Sequence, residues 1–143
     1  MTIHNDFYDY YYKTIGLEFS NLMIKLNNTI IKFGIWDTAG NEMYRSLISN
    51  YYANSSLVVL VYSIENRKSF DNIQNWLNEI KDNKNSDTKI FLIGNKLDLE
   101  ENRKIKEEEG ETFKKVHNLD LFMEASAKKG YNVRKIFVEA VKF

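Results

Sequence analysis

The chain has 143 residues, enough for one domain with a sizeable core. Its 43% hydrophobic and 28% charged residues exclude a disordered chain, and the balance of 20 Lys+Arg against 20 Asp+Glu excludes a net field that would gather nucleic acid or an anionic membrane. Because there is no cysteine, the sequence encodes no disulfide, thiolate metal site, cysteine nucleophile or thioether lipid anchor. The longest apolar run, LVVLVY at 57–62, is far too short to span a bilayer, and the polar, aromatic N-terminus has no signal-peptide pattern.

In chain order, IGLEF (15–19) alternates with period two through Ile15, Leu17 and Phe19. The phase slips near Ser20 and Asn21 and resumes at Leu22, Ile24 and Leu26. Asn27 and Asn28 predict a hairpin turn, since Asn tolerates positive φ, and TIIKFGIW (29–36) supplies the second arm. An irregular helix is expected after the polar segment that begins at Asn41. LVVLVYSI (57–64) is apolar on both faces, as a buried parallel strand is. SFDNIQNWLNEIKDN (69–83) places Phe70, Ile73, Trp76, Leu77 and Ile80 at helical spacing. KIFLIGN (89–95) reads as another buried strand, and EEEGETFKKVH (107–117) as a short helix with acidic residues favouring the macrodipole in its first turn. LFMEAS (121–126) is a final strand, and NVRKIFVEAVKF (132–143) a final helix with Val133, Ile136, Phe137, Ala140 and Val141 inward.

Strands that alternate with helices of crossover length predict an α/β fold, a mostly parallel sheet with helices on both faces. In such sheets ligands sit at the carboxyl ends of the strands. Three strands end in polar sequence: DTAG after Trp36, GNKLD after Ile93 and EASAK after Met123. Taken singly, Asp37 and Thr38 read as a helix cap, Asn95 and Asp98 as turn residues, and Ser126 as a loop hydroxyl. Three such ends in order suit a nucleotide site. An Asp at a strand tip holds Mg²⁺ through water beside transferring phosphates, and a following Gly lets backbone approach a phosphate. Asp98 suits a base edge that presents N–H and NH₂ side by side, as guanine does and adenine does not. The Lys96 stem suits the base or sugar, and Ser126 and Ala127 offer backbone N–H to the base oxygen.

The combination TIG, WDTAG, GNKLD and SAK resembles the Ras superfamily of small GTPases across essentially the whole chain. Within it IGLEF, KFGIW, WDTAGNEMYRSL, YYANSS and LVYSIEN resemble the Rab branch, which regulates vesicle traffic, and EEGE with KKGYNVRKIF leans toward its Golgi-associated subgroup. The resemblance implies a P-loop NTPase-like three-layer fold with one antiparallel hairpin strand. It makes Thr14 the switch threonine that meets Mg²⁺ and the γ-phosphate, Asp37 the Mg²⁺ carboxylate and Gly40 the γ-phosphate sensor. Asn95, Lys96 and Asp98 read guanine, with Ser126, Ala127 and Lys128 closing over the base. Ile15, Gly16, Phe19, Trp36 and Tyr51 face effectors, although the three aromatics read equally well as core residues at strand ends. One of the tyrosines between Tyr8 and Tyr12 is a candidate for stacking on the guanine. The implied cofactor is Mg²⁺ with GTP or GDP. The implied partners are Rab effectors, an exchange factor and a GTPase-activating protein, with no nucleic acid. The implied location is cytoplasmic, on the cytosolic face of Golgi, endosomal or vesicle membranes, although the sequence holds no Cys for a prenyl anchor.

Two features depart from the family pattern. None of the six glycines forms a G-x-x-x-x-G-K-[ST] phosphate loop, so the first strand, the loop and most of the first helix, about 25 residues, are expected to be absent from the fold. In this family that strand lies in the middle of the sheet, so its absence implies a gap flanked by unpaired edges. Asn41 stands where the family usually has a Gln that orients the attacking water. Its shorter stem predicts slow hydrolysis, since such groups act within about 0.5 Å of the productive position. The primary expectation is a GTP/GDP switch. A non-catalytic Rab-like binding module is the alternative, and the NKLD and SAK pair argues against a flavodoxin-like domain.

Overall fold

A computed structural model describes residues 14–40 and 45–143. The chain opens with an antiparallel hairpin, β1 (Leu17–Leu26) and β2 (Thr29–Thr38). Asn27 takes a left-handed φ of 53° at its turn, which Asn tolerates. The register runs without a bulge from Leu17 opposite Thr38 to Leu26 opposite Thr29. The slip in hydrophobic phase at Ser20 is therefore a change of face within one continuous strand. Leu22, Ile24 and Leu26 share the inner face with Ile31 and Phe33, and the Phe33 ring meets Phe137 edge-on at 5.6 Å. Phe19 lies on the outer face, opposite Trp36. The strand expected from Ile15 starts only at Leu17, because Gly16 has a φ of 73° that interrupts the extended backbone.

After α1 (Arg45–Ala53), a three-stranded parallel sheet in the order β3-β4-β5 is built from β3 (Leu57–Ser63), β4 (Lys89–Asn95) and β5 (Leu121–Glu124). The alternation along β4 divides the core. Ile90 and Leu92 join Leu60, Tyr62, Ile73, Leu77 and Ile80 under α3 (Ile73–Asn83), where Ile48 and Tyr52 of α1 also pack. Phe91 and Ile93 point to the opposite face, against Ile136 of α5 (Val133–Ala140). Helices thus cover both faces of the sheet, giving the three layers the alternating sequence implies. Each of these fully buried aliphatic or aromatic side chains contributes about 1.5–3 kcal/mol.

The helix expected over 69–83 is divided at Asn72 into α2 (Arg67–Asp71) and α3. Asn66 caps α2 by accepting from the Ser69 N–H at 3.2 Å. α4 (Glu107–His117) has Glu107, Glu108 and Glu109 in its first turn and Lys114, Lys115 and His117 in its last, the charge order its dipole favours. The Lys106 N–H donates to Glu109 Oε1 at 2.9 Å, closing its N-terminus. β5 stops at Glu124, shorter than LFMEAS suggests, and Ser126 continues as an isolated bridge to Tyr131.

Among the described residues β2 pairs with β1 alone and β3 with β4 alone, so the sheet is in two parts. Val59 and Val61, partners of the buried Phe91 and Ile93, are 39% and 54% exposed. Among the described residues nothing pairs with the outer edge of β3, and the helix cover on the Phe91 and Ile93 face does not reach Val59 and Val61.

Candidate functional site

The ends of β4 and β5 carry the first cluster. Gly94 pairs with Tyr62 of β3 and with Glu124 of β5. A Cβ there would lie 2.9 Å from the Tyr62 hydroxyl oxygen and 3.3 Å from Glu124 Cγ, so only glycine fits. Beyond it, Asn95 Oδ1 accepts from the Ala127 N–H at 3.0 Å, and its carbonyl accepts from the Ile64 N–H at 3.0 Å. Lys96 adopts a left-handed φ of 67° and turns the chain into a 3₁₀ helix, Leu97–Asn102. The Leu97 N–H returns to the Ala125 carbonyl at 3.0 Å. Asp98 then meets Ser126, whose hydroxyl donates to Asp98 Oδ1 at 2.5 Å and accepts from the Lys129 N–H at 3.0 Å. The fold thus brings Asn95, Asp98, Ser126 and Ala127 into one hydrogen-bonded constellation. Lys96 Nζ reaches Glu65 Oε1 at 2.5 Å, and this ammonium holds the Glu65 carboxyl below its ordinary range. Lys128 lies on the exposed side of the same loop.

The second cluster lies at the open end of the hairpin. Antiparallel pairing sets the start of β1 beside the end of β2, so the Thr14 hydroxyl donates to Asp37 Oδ2 at 3.1 Å and the Ala39 N–H donates to the Gly16 carbonyl at 2.9 Å. Gly40 is exposed, and a Cβ on it would meet nothing within 4 Å. Neighbours within the protein therefore impose no glycine there. Thr14 and Asp37 present a hydroxyl and a carboxylate oxygen side by side in an exposed position. Two hard oxygen donors of this kind fit Mg²⁺, which takes one or two protein oxygens and fills its other positions with water and phosphate.

The third feature is a line of aromatic rings. Phe19 and Trp36 have ring centroids 4.5 Å apart, and Trp36 and Tyr51 4.8 Å. Phe19 is 51% and Trp36 45% exposed, so these two rings sit on the surface, at the same end of the hairpin as Asp37 but on the opposite face, since Asp37 pairs with Glu18. Ile15, at the same end of the hairpin, is 81% exposed. Asn41 and Tyr8 to Tyr12 lie outside the described residues.

Several residues that support the site are not apparent from the strand-end motifs. Arg103 and Glu124 form a bidentate ion pair, with both Nη1 to Oε1 and Nη2 to Oε2 at 2.6 Å. Asn132 Nδ2 donates to the Glu124 carbonyl at 2.8 Å. Tyr62 brings a buried hydroxyl with no hydrogen-bond partner among the described residues; its burial, and then the Glu124 charge, push the phenol well above its usual pKa. The sequence signal that could have found this support is an acidic residue, Glu124, closing the apolar run LFM two residues before Ser126. A model described as the Ras family matches the chain over residues 2–143.

Proposed function

The chain belongs to the Ras family of small GTPases, and from that membership we propose that it works as a Rab-type GTP/GDP switch in vesicle traffic. In a small GTPase the presence or absence of the γ-phosphate orders or releases two loops, and partners distinguish the two states. Here those loops are the segments that begin at Thr14 and at Gly40. The Thr14 hydroxyl, which donates to Asp37 in this structure, would turn toward the nucleotide, and Asp37 would accept from water around Mg²⁺. The ion would supply charge neutralisation between the phosphates. Asp98, oriented by Ser126, would accept the paired donors of guanine, while the Ala127 N–H, which donates to Asn95 Oδ1 in this structure, would turn to the base oxygen.

The observation that carries the Rab assignment is the ring line Phe19, Trp36 and Tyr51, exposed at Phe19 and Trp36 and at the same end of the hairpin as the Thr14–Asp37 pair. Rings exposed next to a nucleotide-sensing loop give partners a surface that changes with nucleotide state, and aromatic residues are the usual anchors of such interfaces. The proposed partners are effectors, an exchange factor and a GTPase-activating protein, on the cytosolic face of Golgi or endosomal membranes. Titration of the chain with fluorescent GDP, with and without Mg²⁺, tests the switch. Tight Mg²⁺-dependent binding is expected, and no binding at high protein concentration would overturn it. For the Rab reading, Trp36 emission in a Trp76→Phe background should shift when GDP is replaced by a non-hydrolysable GTP analogue. An unchanged spectrum would remove the coupling between ring line and nucleotide.

A further inference from the structure

We propose that Arg103 and Glu124 are a positioning pair for base recognition, a latch that fixes the Asp98 loop against the Ser126 loop; the proposal rests on the nucleotide reading above. Asp98 and Ser126 lie on different loops, one following β4 and the other β5. A carboxylate that reads two donors at once must be held in angle as well as in distance. The hydrogen bond from Ser126 fixes one oxygen of Asp98, and the Leu97–Ala125 and Asn95–Ala127 hydrogen bonds tie the two loops where they leave their strands, but none of these holds the far end of the helix that carries Asp98.

Arg103 closes the 3₁₀ helix that carries Asp98 in its first turn, and Glu124 ends the strand that leads to Ser126. The guanidinium uses all its donors. Nη1 donates to Glu124 Oε1 at 2.6 Å and to the Ile105 carbonyl at 2.8 Å. Nη2 donates to Glu124 Oε2 and to Glu100 Oε2, both at 2.6 Å, and Nε donates to Glu100 Oε1 at 2.8 Å. The Glu124 side chain is 6% and the Arg103 side chain 17% exposed, so this fork is shielded from solvent. Glu124 also packs on Gly94, one residue before Asn95, and Asn132 holds its carbonyl. One residue pair therefore joins the end of the Asp98 helix, the end of β4 and the start of the Ser126 loop.

Stability alone does not account for such a pair. Desolvating two charges offsets most of their attraction, and a well-packed apolar pair of the same volume is often as stable. A bidentate fork differs from an apolar contact in that it fixes relative rotation. At this position, rotation sets the angle at which Asp98 meets a base.

Two readouts test the latch. Glu124→Gln keeps the shape and removes the charge. The wild-type chain should prefer GDP to IDP, which lacks the 2-amino group Asp98 would accept. The variant should lose about tenfold of that preference through weaker GDP binding, because a hydrogen-bonding site rejects an analogue only while its groups are aligned. A merely structural loss would weaken both nucleotides equally and leave the ratio unchanged, which would overturn the proposal. The second readout needs no nucleotide. Amide exchange at Leu97 and Ala127 should quicken about tenfold in the variant while Leu77 and Leu92 keep their protection. Uniform acceleration, or none at Leu97 and Ala127, would overturn the latch. If wild-type protein binds no GDP, the switch reading fails and the exchange experiment still decides the latch. Arg103→Lys, which keeps the charge but not the fork, replaces Glu124→Gln if the latter does not fold, with the same expectations.

Discussion

Ser126 and Asp98, 28 positions apart, are joined by a hydrogen bond of 2.5 Å from the serine hydroxyl to one carboxylate oxygen. The serine therefore orients the acid, and the acid is the group with the chemistry to read guanine. Removing the two should have unequal effects. Asp98→Ala deletes two charge-assisted hydrogen bonds to the base and should weaken GDP binding about 100-fold or more, at roughly 1.5–3 kcal/mol for each. Ser126→Ala leaves the acid in place and should weaken binding about tenfold or less. Competition titrations against fluorescent GDP measure both. Equal losses would mean that the serine, not the acid, makes the decisive contact.

The ring line makes a prediction about stability. Trp36 is 45% exposed and packs at a tilt against Phe19 and Tyr51. Aromatic pairs contribute about 0.5–1.5 kcal/mol each, so Trp36→Ala should cost about 1–3 kcal/mol. A buried tryptophan costs about 3–5 kcal/mol on the same change. Urea denaturation separates the two cases. A loss above about 4 kcal/mol would assign the rings to the core and remove the surface on which the Rab proposal depends.

Gly94 and Tyr62 should couple. A Cβ at position 94 would lie 2.9 Å from the Tyr62 hydroxyl oxygen, so Gly94→Ala should cost about 1–3 kcal/mol through overpacking. That hydroxyl is buried without a partner among the described residues, so Tyr62→Phe should be neutral or stabilise the fold by about 1 kcal/mol. In the Tyr62→Phe background the alanine should cost less. Strictly additive free energies in the double-mutant cycle would show that the Tyr62 ring and Glu124 Cγ, not the hydroxyl, exclude a side chain at position 94.

His117 sets a pH dependence. Its ring lies 4.2 Å from that of Phe113, and burial, together with the Lys81 charge, lowers its pKa below the usual 6.5. The unfolded chain therefore takes up the proton first as the pH falls. The contribution of this group is fully present above the unfolded pKa and is lost as the pH falls from there through the folded value. Melting temperatures from pH 7.5 to 5 should fall more for wild type than for His117→Gln. Parallel curves would show that the histidine does not carry the effect.

The order of strands and helices, both faces of the parallel sheet and the three strand-end motifs were legible in the sequence. Each leaves a local trace: a period of two or 3.6, an apolar run, or a polar cluster at a strand tip. Asn72 left no such trace, because the spacing of Phe70, Ile73 and Leu77 continues unbroken across it and only a change in backbone path separates α2 from α3. The slip at Ser20 was visible, but its meaning was not. Periodicity reports that side chains change face; register decides whether a bulge or a continuous strand makes the change.

By itself, then, the sequence determined which residues stand at the strand ends and the family to which their pattern belongs. Tertiary structure alone decided which of them meet. Thr14 reaches Asp37 because hairpin register aligns the two ends, Asp98 reaches Ser126 because β4 and β5 are parallel neighbours, and Arg103 finds Glu124 because Gly94 leaves room for its side chain. Contacts between distant residues are fixed by the relative placement of whole strands, and no local pattern of side chains records that placement.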